Sequence, residues 1–343
     1  MSRVIVTGGS GFIGSNLVEH LAAAGHDVLN LDRRPPRNPA AGGRFVPLDI
    51  LDRQAFLECV RNFDPRYVFH LAARTDLNGN SDADYATNIE GVSNTVAAAL
   101  AAPSLERMVF ASSMYVCRVG YIPSRDDEYS PHTAYGRSKM LGEQIVRREA
   151  GDKFCWALVR PTSIWGPWFS IPYITFFHTV RRGLYVHPKG RTIRRSYGFV
   201  RNTVWQLRRL MECSEPGKVH RRMFYLADYE PVDPLRWAQI IADCFGSGKV
   251  REAPLGLLRI GALIGDMLKL GGMTNPPLFS SRLNNLLTNA VFDLSPIEEI
   301  SGEQPYTLAE GVAITVEWMR QQVLQSPVDL QMSASPIRRT RAE

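Results

Sequence analysis

Eight residues near the start of the chain restrict its fold more than any others. Val4-Ile5-Val6 is a short apolar run of the kind buried in parallel sheets. It leads without a break into Thr7-Gly8-Gly9-Ser10-Gly11-Phe12-Ile13-Gly14, after which apolar residues recur at helical spacing (Ile13, Leu17, Leu21). Between a strand and a helix each glycine has a task. Gly8 permits the tight turn, Gly11 lets a pyrophosphate approach the backbone, and Gly14 lets the helix close on the sheet. Phe12 and Ile13 open the helix, whose free N–H groups and positive dipole end favour phosphate. A kinase-type loop would end in Gly-Lys-Ser/Thr, and Gly14-Ser15-Asn16 stands there instead. The pattern is that of a dinucleotide site.

The next strand-like run, Val28 to Leu31, ends at Asp32, about twenty residues beyond the glycines, where a carboxylate accepts from the adenosine ribose hydroxyls and repels a 2′-phosphate. That favours NAD, while Arg33 and Arg34 immediately after it leave NADP open. Asp49, followed by Ile50, comes after the third strand-like run, placed either to meet the adenine amino group or to turn or cap the chain before Arg53.

Strand-like and helix-like segments alternate as far as Arg160-Pro161, which predicts a Rossmann-like doubly wound parallel sheet of the α/β class. Beyond it, proline and aromatic residues crowd Trp165 to Phe177. Helix-like runs follow at Thr203–Met211, Leu235–Cys244, Leu257–Lys269, Arg282–Thr288 and Ala309–Gln322, with one strand at Met223–Leu226. The expected organisation is a cofactor domain over 1–165 and a smaller, mainly helical substrate lobe over 166–325, some of whose segments return to the first domain. A disordered polar tail is expected over 326–343.

Composition narrows the function. With 45% hydrophobic and 22% charged residues in 343, the chain is neither disordered nor a coiled coil. The longest apolar run, Leu255 to Leu270, is interrupted by Arg259, Asp266 and Lys269, so no membrane insertion is expected. Met1-Ser2-Arg3 runs straight into the first strand, which reads as a cytoplasmic protein without a leader. The net charge of +6 comes from thirty-four arginines and only six lysines, scattered except at 191–195 and 338–341. Scatter argues against nucleic acid, and arginine suits a small phosphorylated partner. Five widely spaced cysteines predict reduced thiols, and neither they nor the seven histidines have metal-ligand spacing, so no metal is expected.

Tyr135-Gly136-Arg137-Ser138-Lys139 sets a phenol and an ammonium on one helical face. Tyrosine, with a pKa of ~10, is too weak a base near neutrality, and a nearby positive charge lowers that value. Ser112-Ser113 ends the strand one helix earlier.

These residues together resemble the extended short-chain dehydrogenases/reductases, in particular the NAD-dependent epimerase/dehydratase branch. The resemblance rests on the glycine loop, Asp32, Asp49, His70-Leu71-Ala72-Ala73, Asn88, Ser112-Ser113, Tyr135 with Lys139, Arg160-Pro161 and Trp165-Gly166-Pro167. It implies that Leu71, Ala72, Ala73, Asn88, Ser112 and Pro161 line the cofactor, that Tyr135 and Lys139 also touch it, with Lys139 holding the nicotinamide ribose, that Asn88 shapes the central helix, and that Ser113 hydrogen-bonds the reacting hydroxyl beside Tyr135. His70 and Cys117 read as packing residues. The acidic pair of the sugar dehydratases is missing, since Met114-Tyr115-Val116 follows Ser113, and so is the glutamate of the decarboxylating branch.

On the substrate side, Arg195, in Arg195-Ser196-Tyr197-Gly198-Phe199-Val200, and Arg282 resemble the family's diphosphate clamps. Ser163 occupies the position where 4-epimerases often have a substrate-binding asparagine, and Asn202 replaces the usual aspartate. Trp165, Trp168, Phe169 and Tyr173 either stack on a ligand or form core. The resemblance thus implies a homodimer, pairing through the helices after Asn88 and Ala134, that inverts a nucleotide-diphosphate sugar, at C4, through a keto intermediate with NAD. The alternatives are an NAD(P)H-dependent ketoreductase and a hydroxysteroid dehydrogenase-like oxidoreductase. Arg195 and Arg282 converging on one cleft would favour a diphosphate.

Overall fold

A computed structural model describes residues 1–38, 41–273, 276 and 278–325; the expected tail over 326–343 lies outside them. The first half alternates as anticipated: β1 (Arg3–Thr7), α1 (Phe12–Ala23), β2 (Asp27–Asp32), β3 (Arg44–Pro47), α2 (Arg53–Phe63), β4 (Tyr67–His70), α3 (Ala86–Ala99), β5 (Arg107–Ala111), α4 (Ala134–Glu149) and β6 (Cys155–Pro161). The second half holds β7 (Ser163–Trp165), α5 (Tyr173–Arg181), β8 (Val186–Pro188), β9 (Tyr197–Phe199), α6 (Val200–Glu212), β10 (Arg222–Leu226), α7 (Pro234–Phe245), β11 (Arg251–Ala253), α8 (Leu255–Leu270), α9 (Ser280–Leu287), α10 (Ser295–Ser301) and α11 (Leu308–Gln325).

Seven parallel strands form the main sheet in the order β3-β2-β1-β4-β5-β6-β10. Val4, Ile5 and Val6 in its middle are fully buried, which is why that segment shows an unbroken apolar run rather than alternation. Local chemistry sets the helix ends. Asp52 caps α2 by accepting from Ala55 N (3.1 Å), and Thr133 caps α4 by accepting from Gly136 N (3.0 Å). The expected helix Asn88–Ala102 in fact spans Ala86–Ala99, because the chain must leave helical geometry ahead of Pro103.

Met223–Leu226, read as a strand of the C-terminal region, is β10 of the main sheet, with Met223 opposite Leu158 of β6. The chain reaches it through α6, whose last carbonyls are held from the sheet side. Arg107, at the start of β5, donates to Met211 O (2.8 Å) and Cys213 O (2.9 Å). Val204 and Leu207 of α6 and Ile297 of α10 belong to the same core as the sheet. A second core gathers Trp165, Phe177, Phe199, Trp237, Val312 and Val316. Two pairs of three-residue strands, β7–β9 and β8–β11, were not announced by the sequence, and β7 and β9 contribute Ile164, Trp165, Tyr197 and Phe199 to this core.

Candidate active site

Parallel strands all end on one edge of a sheet, and the predicted cofactor residues follow those ends. Gly8 continues β1, Asp32 ends β2, Asp49 and Ile50 follow β3, Leu71, Ala72 and Ala73 follow β4, Ser112 follows β5, and Pro161 ends β6. The glycine loop is as tight as the pattern requires. A Cβ on Gly14 would stand 2.1 Å from Gly8 O, and one on Gly8, at φ +72°, would stand 2.6 Å from Ala72 N. Gly11 begins α1 without any side-chain cap, so no side chain competes there for the N–H groups that would face a pyrophosphate. Asp32 accepts from Ser10 N (3.1 Å) and Arg34 N (3.0 Å). These features fit a dinucleotide.

Asp49 turns the chain by accepting from Leu51 N (3.0 Å) and pairs with Arg33 at 3.4 Å, while the helix cap falls to Asp52. Ile50 is buried against Gly91 of α3. Asn88 is a brace: Oδ1 accepts from Arg74 N (2.8 Å), and Nδ2 donates to Arg74 O (2.9 Å) and to Ser138 Oγ of α4 (2.9 Å). His70 is a packing residue, buried with Nδ1 near the Thr7 (2.9 Å) and Thr95 (3.1 Å) hydroxyls. Burial drives its pKa down to about 3, so the ring is neutral. Cys117 is likewise a buried thiol pushed up by burial.

The catalytic set meets where β5 and α4 approach. Ser113 leaves β5 into a short turn, accepting from Tyr115 N (3.2 Å), and its hydroxyl hydrogen-bonds the Tyr135 phenol. Gly136 makes this possible, because a Cβ there would lie 2.1 Å from Tyr115 O. Lys139, one turn along α4, donates to Ala111 O (2.8 Å). Burial pushes the Tyr135 phenol up to about 12, against the opposing Ser113 bond, and pushes the Lys139 ammonium down to about 8. The protein alone therefore keeps the phenol protonated.

Tyr85 and Tyr115 flank Tyr135, with ring centroids at 6.1 and 6.2 Å. Arg195 sits over the Tyr197 ring (5.8 Å), and burial raises the phenols of Tyr115, Tyr173 and Tyr197 with the Arg195 charge partly opposing it. Its Nη1 donates to Asn285 O of α9, while its buried Nε has no partner among the described residues. Arg282, three residues before Asn285 on the same helix, holds its guanidinium over the Phe279 ring (5.0 Å) with Nη1 3.4 Å from Pro276 O. Ser163 is buried and hydrogen-bonds Tyr173. Trp165 and Phe169 are core, packed on Phe177 at 5.9 and 5.3 Å, and Trp168 meets Trp318 at 5.6 Å.

Three features were not read from the sequence. Asn16 of α1 donates to Pro167 O (3.0 Å). Arg37 donates to Ser10 O (3.1 Å) in the glycine loop and to Trp168 O (2.7 Å), tying the loop to the second core. Beneath α4, Arg160 makes two 2.8 Å bonds to Glu143. All three are long-range contacts of ordinary polar residues, without a local signature. Gly136 had a signal, a glycine within a helical motif.

A dinucleotide cradle joined to a Ser-Tyr-Lys set defines an oxidoreductase-type site of the extended short-chain dehydrogenase/reductase kind. The chain belongs to the NAD-dependent epimerase/dehydratase family, whose model matches residues 4–220. It is 28% identical over 332 residues to a 3-beta-hydroxysteroid dehydrogenase of Mycolicibacterium neoaurum, covering 91% of this chain and 90% of the relative. It is 24% identical over 331 residues to the N-acetyl-alpha-D-glucosaminyl-diphospho-ditrans,octacis-undecaprenol 4-epimerase of Escherichia coli O157:H7, covering 92% and 95%. The fold matches that of the UDP-glucose 4-epimerase of Thermotoga maritima, solved with UDP-glucose, at a TM-score of 0.69 and 19% identity over 94% and 99% of the two chains.

Proposed function

We propose that the protein is an NAD-dependent epimerase that inverts C4 of a diphosphate-linked sugar, a nucleotide-diphosphate sugar first of all, and that it works as a homodimer through α3 and α4. The observation that carries this reading is the Ser113–Tyr135–Lys139 set standing at the strand ends beside the glycine cradle. NAD, held by the glycine loop and Asp32, would supply a hydride acceptor and donor and a positive ring charge. Tyr135 Oη takes the sugar hydroxyl proton, with Ser113 Oγ bridging or steering that hydroxyl. Lys139, one turn along the same helical face and held on Ala111 O, would anchor the nicotinamide ribose, and the phenolate is left to the cofactor's ring charge. Asp32, already shaped by two backbone donors, selects the ribose hydroxyls, and the Arg33–Asp49 pair occupies the arginine that would otherwise invite a 2′-phosphate.

The diphosphate assignment rests on Arg195, whose unspent Nε is buried beside the tyrosine cluster, and on Arg282 sharing α9 with the residue that holds Arg195. The relative from Escherichia coli, named for a diphosphate-linked sugar, agrees with it. A one-way oxidation of an apolar alcohol is the second reading. It is favoured by the tyrosines around Tyr135 and by the hydroxysteroid dehydrogenase relative.

Tyr135→Phe should lower turnover by about 10²–10⁴-fold while the protein still binds NAD, measured as nucleotide retained after gel filtration. Activity equal to wild type would reject the assignment. Denaturing the purified protein separates the two readings: released NAD supports the recycling epimerase, and an empty site supports the one-way oxidoreductase.

A further inference from the structure

Tyr115 has no part in the reaction described above, yet it is locked to the catalytic set. Its backbone N–H donates to Ser113 Oγ (3.2 Å), and its carbonyl oxygen lies so near α4 that a Cβ on Gly136 would stand 2.1 Å from it. Its ring meets Tyr135 edge-on at 6.2 Å and His132 at 6.2 Å. Main chain and ring are therefore both fixed relative to the reacting phenol.

Neighbouring hydroxyls are already committed. Tyr85 donates to Asp76 O (2.7 Å), and Tyr173 bonds Ser163. The Tyr115 hydroxyl has no hydrogen-bond partner among the described residues, and its side chain is only partly buried. On its other side is Arg195. Burial pushes the Tyr115 phenol up, and the Arg195 charge opposes that push, as it does at Tyr173 and Tyr197. Tyr115 thus stands between the reacting phenol and the arginine whose buried Nε is unspent. An apolar ligand lying there would leave the hydroxyl dry and unpaired, which counts against it, whereas a ligand with oxygens along its length would pair it.

We propose that Tyr115 is a specificity-determining residue, whose hydroxyl donates to an oxygen of the substrate's sugar ring between the carbon that reacts at Tyr135 and the diphosphate at Arg195. This rests on the reading of the preceding subsection and narrows it to a substrate that is polar next to the reacting carbon. The oxygen that Tyr115 holds takes no part in bond breaking. The contact is therefore equally strong before and during the reaction, and its loss should appear in KM rather than in kcat.

Tyr115→Phe keeps the ring and removes one oxygen. Binding is measured by calorimetry on the NAD-loaded protein with UDP-glucose and GDP-mannose, each beside its nucleoside diphosphate without the sugar. The variant should bind the nucleotide sugar that wild type prefers about tenfold more weakly, and the bare nucleotide within about twofold of wild type, with NAD retention and thermal midpoint unchanged. In turnover of that sugar KM should rise about tenfold while kcat changes less than about threefold. Equal affinity of variant and wild type for the nucleotide sugar overturns the proposal. Equal losses for nucleotide sugar and bare nucleotide overturn it too, since the phenol then answers the diphosphate. So does a fall in kcat with KM unchanged, since Tyr115 then acts on Tyr135. Wild type that binds none of the four ligands removes the diphosphate-sugar reading and this proposal with it, and that failure shows before any variant is made.

Discussion

Removing both partners of the Arg160–Glu143 pair should cost far less than the sum of removing each alone. Both side chains are wholly buried, and two bonds of 2.8 Å join them. Tyr129 OH donates to the same carboxylate at 3.0 Å, and Arg160 also donates to Asp126 O at 2.8 Å. Burial works against the Arg160 charge, but Glu143 outweighs it and holds the guanidinium protonated. Arg160→Met leaves a carboxylate in the interior with one phenol for company, which should cost about 3–5 kcal/mol. Arg160→Met/Glu143→Leu removes both charges and fills the space with apolar atoms. The Tyr129 and Tyr225 hydroxyls and the Asp126 carbonyl then lose a partner, at about 1–3 kcal/mol each if they stay dry and less if water reaches them. The assay is urea unfolding followed by both tryptophan fluorescence and circular dichroism. For a urea slope of about 3 kcal/mol/M, the single variant should lose about 1 M or more of midpoint, and the double should lose clearly less than the sum of the two single variants. A double variant whose loss equals the sum of the two singles would refute the argument, because it would show that the two charges do not depend on each other.

Three further outcomes follow from the geometry. Gly136→Ala should leave a folded protein less stable by about 1–3 kcal/mol, as read by thermal melting, and about 10²-fold slower, because the new methyl displaces the Ser113–Val116 turn from Tyr135. Arg37→Ala should release NAD about tenfold faster in a dilution experiment by freeing the glycine loop from Trp168; unchanged retention would deny Arg37 that role. Burial raises the Asp228 carboxyl from 3.8 to about 7. Its proton contributes stability that is complete below pH 3.8, declines across that interval and is gone above pH 7. Asp228→Asn should therefore flatten the fall of the urea midpoint with pH in that window.

The parts of this protein that could be read from its sequence are those whose geometry is local. The glycine loop, Asp32 and the Tyr135–Lys139 pair each lie within a few residues of a strand end or helix turn, so spacing alone locates them. The apolar runs of β1, β4 and β5 were legible because strands buried on both faces show no alternation. The strands β7, β8, β9 and β11 are three residues each and exist only through partners far along the chain. Asn16 and Arg37 look like surface residues until the second core supplies Pro167 and Trp168. The α8 run announced a helix, but not that its apolar side faces outward, since that depends on Leu278 pressing against Gly265. The expectation for Tyr135 rested on its nearest cation, whereas the folded chain aims Lys139 at Ala111 O and lets burial dominate.

The polypeptide passes back from the second core to the sheet through α6 and β10, leaves again for α7, and returns once more at α10 before crossing to the second core in α11. No single cut separates the two halves. Grafting a new specificity onto this scaffold therefore means exchanging several discontinuous stretches together. Splitting the gene between Pro161 and Ser163 would strand a six-stranded sheet with an uncovered edge, an invitation to aggregate rather than a free-standing half.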